Sequence, residues 1–222
     1  MSRLITTSLL DSIDWCKKAP DSLNPAGISW KQDAYEQLKR TVGRAPWVPN
    51  ASLERGTTFE NQIYGILKAG TEDTVQCTPK FREILYACKG GQFQRKTKSF
   101  LTIDGQEYLL YGKLDVYFPD RIKDIKTTGK YGGKDKYLST SQHHIYCFGE
   151  NIKDFTYIIA EFPKPESYEI SSVNYVEYSS PSRDFEEAYV RAKIADAVEW
   201  LSSFDEPGDL GDLYLHTYCK PW

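Results

Sequence analysis

Apolar and polar positions alternate through the middle of the chain and recur at helical spacing on either side of it. Glu107-Tyr-Leu-Leu-Tyr-Gly-Lys-Leu-Asp-Val-Tyr-Phe118 is rich in branched and aromatic residues, and Pro119-Asp120-Arg121 follows it as a turn. A hairpin is therefore predicted, with a returning strand over 121–127. Further strands are expected over 92–103, 154–162 and 168–178. Arg55-Gly56-Thr57-Thr58-Phe59-Glu60 opens a helix continuing through Ile63, Ile66 and Leu67, which puts Glu60 in an early turn. A second helix is expected over 138–151, opened by Ser139-Thr140-Ser141. A third spans 182–204, with Phe185, Ala188, Tyr189, Ala192, Ile194, Ala195, Val198 and Leu201 as a broad apolar face packed on the sheet. Strands interleaved with helices predict an α/β fold with a mixed sheet.

Composition narrows this to one unit. With 222 residues, 40% hydrophobic and 14% aromatic, the chain buries one substantial core, read as a single domain over 1–222 with a helical N-terminal extension over 1–50. No apolar run approaches the ~20 residues that span a bilayer, and the start carries no signal-peptide pattern, so a cytoplasmic protein with no membrane partner is expected. Cys16, Cys77, Cys88, Cys147 and Cys219 are odd in number and scattered, the pattern of reduced thiols.

Chemistry concentrates on the predicted hairpin. Asp124 and Lys126 lie two apart, hence on one face of a strand, while Ile125 turns to the other. If Asp115 faces the same way across the hairpin, two carboxylates and an ammonium meet. A carboxylate pair binds a hard cation through oxygens, and a lysine beside it orients water or steadies negative charge. An isolated Asp-x-Lys is usually a solvated strand face. Three features add weight: Glu60 supplies a third carboxylate, Gln142 and Tyr146 share a helix face at i and i+4, and a buried strand follows that helix. The adjacent His143 and His144 cannot share one helical face, which argues against joint metal ligation and for surface or supporting roles.

Gly56/Glu60, Gly112/Asp115, Asp124-Ile125-Lys126 and Gln142-His-His-Ile-Tyr146, in that order, resemble the PD-(D/E)xK nuclease superfamily, in its RecB-like and phage lambda-type exonuclease branch. The match runs over about 55–162. Thr7-Ser8-Leu9-Leu10 to Trp15-Cys16-Lys17-Lys18 also looks like that branch's entry helix. Leu114 stands where proline commonly precedes the first Asp, and Asp124 replaces the commoner Glu. The resemblance implies a restriction-endonuclease-like core, with the mixed sheet flanked by helices. It implies Mg2+ or Mn2+ held by Glu60, Asp115, Asp124 and the Ile125 carbonyl, with Lys126 orienting or deprotonating the attacking water and Gln142 and Tyr146 positioning the DNA backbone or Lys126. A metal-dependent DNA exonuclease of phage-type recombination or repair follows, in a bacterial or phage-infected cell. Its implied partners are DNA, a single-strand annealing or recombination protein, and further copies of itself. The alternatives are a structure- or site-specific endonuclease and a non-catalytic DNA-binding module.

Charge bears on the substrate. The net charge is −3, yet residues 80–136 carry 13 Lys and Arg against 7 Asp and Glu, an excess of six where the site is expected. Arg55, Arg95, Lys96, Lys98, Lys130 and Lys134 are the candidate phosphate contacts. Lysines that protect a sheet edge give the same pattern. Trp30, Trp47 and Phe93 are candidates for base stacking, with core packing the plainer reading. Gly129, Gly132 and Gly133 predict a loop beside the site.

Overall fold

The structure, a computed structural model, describes residues 2–46, 50–164, 169–204 and 206–220. Trp47 and the start of the strand expected at 168 lie outside them. In chain order come β1 (Arg3–Thr6), α1 (Thr7–Lys18), α2 (Trp30–Val42), α3 (Ala51–Ala69) and α4 (Pro79–Cys88). The strands β2 (Gln92–Ile103), β3 (Gln106–Tyr117) and β4 (Arg121–Thr128) follow. Then come α5 (Asp135–Leu138), α6 (Gln142–Glu150), β5 (Asp154–Glu161), β6 (Ser172–Ser179), α7 (Arg183–Ser202), α8 (Leu210–Leu213) and a π-helical turn, Tyr214–Tyr218. The chain is an α/β protein with a mixed six-stranded sheet flanked by helices.

β3 organises the sheet. β2 runs antiparallel along its whole length on one side; on the other, β1 runs parallel to its first half and β4 antiparallel to its end, at Val116↔Lys123 and Tyr117↔Ile122. β4 pairs parallel with β5, through a crossover containing α5 and α6, and β6 closes the far edge antiparallel to β5. Phe155, Tyr157, Ile158, Ile159 and Ala160 of β5 are all buried, as a strand covered on both faces requires. The covering layers form two cores. Leu9, Leu10 and Ile13 of α1, Ile145 and Phe148 of α6, and Val190, Ile194 and Leu201 of α7 fill the larger. Phe59 and Ile63 of α3, with Ile84 and Leu85 of α4, fill the smaller against Val116, Ile125, Ile158 and Ala160.

Several expectations need correction. The N-terminal stretch supplies α1 and α2 and also β1, a strand outside the helical expectation there, whose Ile5 is buried in the larger core. α3 begins at Ala51, where Asn50 caps it by accepting from Leu53 N–H at 3.0 Å, so Glu60 lies mid-helix. The helix expected from 138 breaks over 139–141, because Ser139 and Thr140 donate their hydroxyls back to the carbonyls of Lys136 and Tyr137 and hold a turn. α7 buries Glu186, Val190, Ile194, Ala197 and Leu201, while Phe185, Ala188, Ala192 and Ala195 face out. His143 and His144 are core residues: His143 Nδ1 is 3.0 Å from Tyr157 Oη, and His144 Nδ1 is 2.7 Å from buried Glu186. The surface reading of both is overturned. All five cysteines are free. Trp30 packs edge-on to Trp15 and Phe93 against Tyr64, the packing rather than the stacking outcome. Among the described residues, no helix is long and apolar enough to cross a membrane.

Candidate functional site

The site forms where β3 passes from one core to the other. Leu114 and Tyr117 pack with the larger core and Val116 with the smaller, so the alternation of faces slips by one residue between them. Asp115 sits at the slip. Opposite it on β2, Gln94 has φ 55°, an uncommon conformation for a residue with a side chain. Such irregularities re-aim a side chain. Here the Asp115 carboxylate crosses to β4 and accepts the backbone N–H of Ile125 at 2.9 Å.

Asp124 is 1% exposed and doubly held. Gln142 Nε2 donates to its Oδ1 at 2.6 Å, and Lys126 Nζ lies 2.7 Å from its Oδ2. Glu60 joins from α3. Gly56, one turn earlier, lets the helix approach the sheet, since a Cβ there would lie 3.2 Å from Thr127 Oγ1. Burial and the charge of Asp124 push the Glu60 carboxyl up to about 6. Burial, with Asp124 and Glu60 beside it, raises Asp115 well above the usual carboxylate range. The charge of Asp124 thus suppresses the ionisation of both Glu60 and Asp115. Lys126 is their counter-charge: desolvation acts against its ammonium, but Asp124 and Asp115 outweigh it and hold the group protonated beyond its ordinary range.

Gly112 and Tyr146 form one joint. A Cβ at Gly112 would stand 2.3 Å from Tyr146 Cε1, so only glycine admits the ring, whose hydroxyl donates to the Lys113 carbonyl at 3.3 Å. Tyr146 therefore fixes α6 to β3. Gln142, one turn back on that helix, is aimed at Asp124 rather than at Lys126.

The structure adds residues that no motif flagged. Asp11 of α1 accepts the N–H of Ser141 at 3.1 Å, capping α6 from 130 positions away, since Ser141 makes no side-chain cap of its own. Tyr64, one turn beyond Glu60, has its phenol raised by burial and by Asp115 and Glu60. Lys113, whose charge favours ionised Glu60, is exposed beside the acids. An alternation of faces would have found Lys113; nothing local marks Asp11.

The candidate phosphate contacts separate. Arg55 is buried, with its guanidinium 5.1 Å over the Phe162 ring and Nη1 donating to the Lys164 carbonyl, so it belongs to the core and not to a DNA surface. Arg95 pairs with Glu150 at 2.8 Å and stacks 3.8 Å over Tyr117, a bracket between β2 and α6. Lys96 and Lys98 are exposed on β2, and Lys130 and Lys134 on the loop after β4.

In structure the chain is similar to phage-related and alkaline exonucleases. A phage related exonuclease from Haemophilus somnus 129PT aligns at 13% identity over 85% of this chain and 90% of that one, with a TM-score of 0.48. An alkaline exonuclease from Laribacter hongkongensis, LHK-Exo, aligns at 11% identity over 90% and 88%, with a TM-score of 0.46, and its complex with dAMP aligns at 14%. The protein SSO0001 aligns at 12% identity over 90% and 77%, with a TM-score of 0.49. No protein-family model matches the sequence, and comparison with curated proteins found no match. At such identities the chemistry of the site has to be argued from its own side chains.

Those side chains suit a divalent cation in kind. The donors are all oxygens, three carboxylates and one backbone carbonyl, as Mg2+ or Mn2+ prefers, and the repulsion among the carboxylates is what a cation would relieve. Asp124 Oδ2, though close to Lys126, receives no aligned hydrogen bond. Among the described residues, however, no three His, Cys, Asp or Glu side chains are gathered into a ready cage. Lys126 and Gln142 engage the two Asp124 oxygens, and a cation would have to displace the ammonium.

Proposed function

We propose that the protein is a metal-dependent deoxyribonuclease, an exonuclease that hydrolyses phosphodiester bonds in linear DNA during phage-type recombination or repair. One observation carries this: Lys126 lies 2.7 Å from buried Asp124 on β4, Asp115 of β3 accepts the N–H of Ile125 between them, and Glu60 of α3 stands close enough for Asp124 and Lys126 to act on its charge. Placing two half-buried acids beside a buried one is unfavourable for stability, and such arrangements concentrate at functional sites. Glu60, Asp115, Asp124 and the Ile125 carbonyl would hold Mg2+ or Mn2+, which when bound would offset the charge gathering on the phosphate and make water more acidic. The chain's own groups do the rest. Gln142 keeps Asp124 oriented, and Ile125 N–H keeps Asp115 turned toward β4. Released from Asp124, the Lys126 ammonium is placed to orient water and to balance the negative charge of the transition state. Tyr146 holds α6, and so Gln142, in register with the sheet.

The exposed lysines flanking the site would grip phosphates without reading bases, which supports an exonuclease over a site-specific endonuclease. The deciding experiment incubates the protein with end-labelled linear DNA and with circular DNA, with and without EDTA. Loss of the linear label only when metal is available, with circles intact, is expected. Metal-dependent nicking of circles would make it an endonuclease, and inertness toward both would leave a DNA-binding module.

A further inference from the structure

β2 and β3 present two unlike faces. Thr97 and Leu101 of β2, with Tyr108 and Leu110 of β3, are buried, and Gly149 of α6 packs close over Thr97 and Ser99. The register pairs Lys96 with Lys113, Lys98 with Tyr111 and Phe100 with Leu109, so these side chains share the opposite face. Lys96, Lys98 and Lys113 are exposed there, and among the described residues none has an ion-pair partner; Phe100 is 58% exposed. This face leads to the site, because Lys113 stands two residues before Asp115 on β3. Lys96 and Lys113 stand directly opposite one another, an arrangement of like charges that destabilises a strand pair. Edge protection needs charge but not an exposed phenyl ring in the same row.

We propose that this face is a lane for a single DNA strand leaving or entering the site. The reading rests on the nuclease assignment above and names the form of DNA the site handles. Lys113, Lys96 and Lys98 take successive phosphates, and Phe100 stacks a base roughly 13 Å beyond the Lys96–Lys113 pair at about 3.3 Å per residue. A duplex hides its base faces within the stack, so the ring selects an unpaired strand.

The test is fluorescence anisotropy of the full chain in EDTA, with a labelled single strand and a hairpin duplex, across a salt series. Replacing Lys96 and Lys113 together by Gln is expected to weaken single-strand binding more than tenfold and to reduce the salt slope by about 1.4. The Lys96→Arg/Lys113→Arg pair retains affinity. Phe100→Ala is expected to weaken the single strand about tenfold and the duplex less than twofold. Single-strand affinity within twofold of the parent in the Gln pair and in Phe100→Ala overturns the lane, as does equal loss on both DNA forms in Phe100→Ala. Metal-dependent cleavage, measured on the same preparations, separates the two readings. Cleavage with unaltered binding overturns the lane alone, whereas selective loss of single-strand binding without any cleavage supports the lane and overturns the nuclease.

Discussion

Lys126 is held by opposing forces, and its behaviour decides how the acids are managed. It neutralises Asp124 at 2.7 Å, and a cation held by the acids would free it to act on water or phosphate. Lys126→Ala should therefore reduce cleavage by roughly 10²–10³-fold, the scale of removing one transition-state donor, and leave DNA affinity within a few-fold. Quench-flow turnover set beside anisotropy in EDTA checks this, and undiminished turnover removes Lys126 from the mechanism. Glu60 gives a second prediction. Its carboxyl is raised to about 6, so its contribution to stability is full below the ordinary value near 4.5 and is lost as pH rises through 6. Above that, three acids are crowded, and a cation has the most to offset. Thermal melts should show Mg2+ raising Tm more at pH 8 than at pH 5, with up to about 2.7 kcal/mol gained at 100 times Kd. Glu60→Gln should flatten that difference; an equal shift at both pH values would show that no carboxylate of this kind binds the ion.

Elements place these residues through joints that differ in how visible they are. Asp124-Ile125-Lys126 was legible because strand periodicity alone puts both charges on one face, and Gln142 because it lies one turn from Tyr146. The start of α3 is hidden because the helical signal is clear only from Arg55, while the cap is Asn50. Arg55 reads as a surface cation for a related reason. It falls at i, i+4 with Phe59 on the inner face, and only the structure shows Phe162 beneath its guanidinium. Gly112→Ala should cost about 1–3 kcal/mol, the price of overpacking, because its Cβ would enter the Tyr146 ring. Pairing it with Tyr146→Ala should recover part of that in denaturant melts; additive losses would show that the two do not touch. Asp11→Ala removes the cap of α6 and should lower stability by about 1 kcal/mol and kcat by a larger factor than KM. An activity loss no greater than the loss of folded protein would reduce Asp11 to scaffold.

At the scale of the molecule, the sequence conveyed the α/β class and the order of elements but not how layers close. β1 is too short to announce itself, and the buried His143, His144 and Glu186 carry polar letters that read as surface. Burial and neighbouring His144 push His143 down to about 3. Its neutral form is a condition of folding, so stability is full above the ordinary value of 6.5 and falls as pH drops toward 3. Urea melts at pH 7 and pH 5 should show the loss, smaller in His143→Gln; an unchanged slope in that variant would assign the effect elsewhere.

The slip in β3 at Asp115 also bears on how the protein folds. Asp115 meets Ile125 across 10 positions and Asp124 meets Gln142 across 18, so a hairpin and one crossover assemble most of the site from nearby chain. Glu60 reaches the same point on α3, far earlier in the chain, and Asp11 clamps α6 across 130 positions. Contacts of long separation close late, after their loop entropy has been met. On sequence separation alone the acidic pair and its lysine should assemble early and Glu60 should join them late, so the full set of three carboxylates is expected to be a late product of folding.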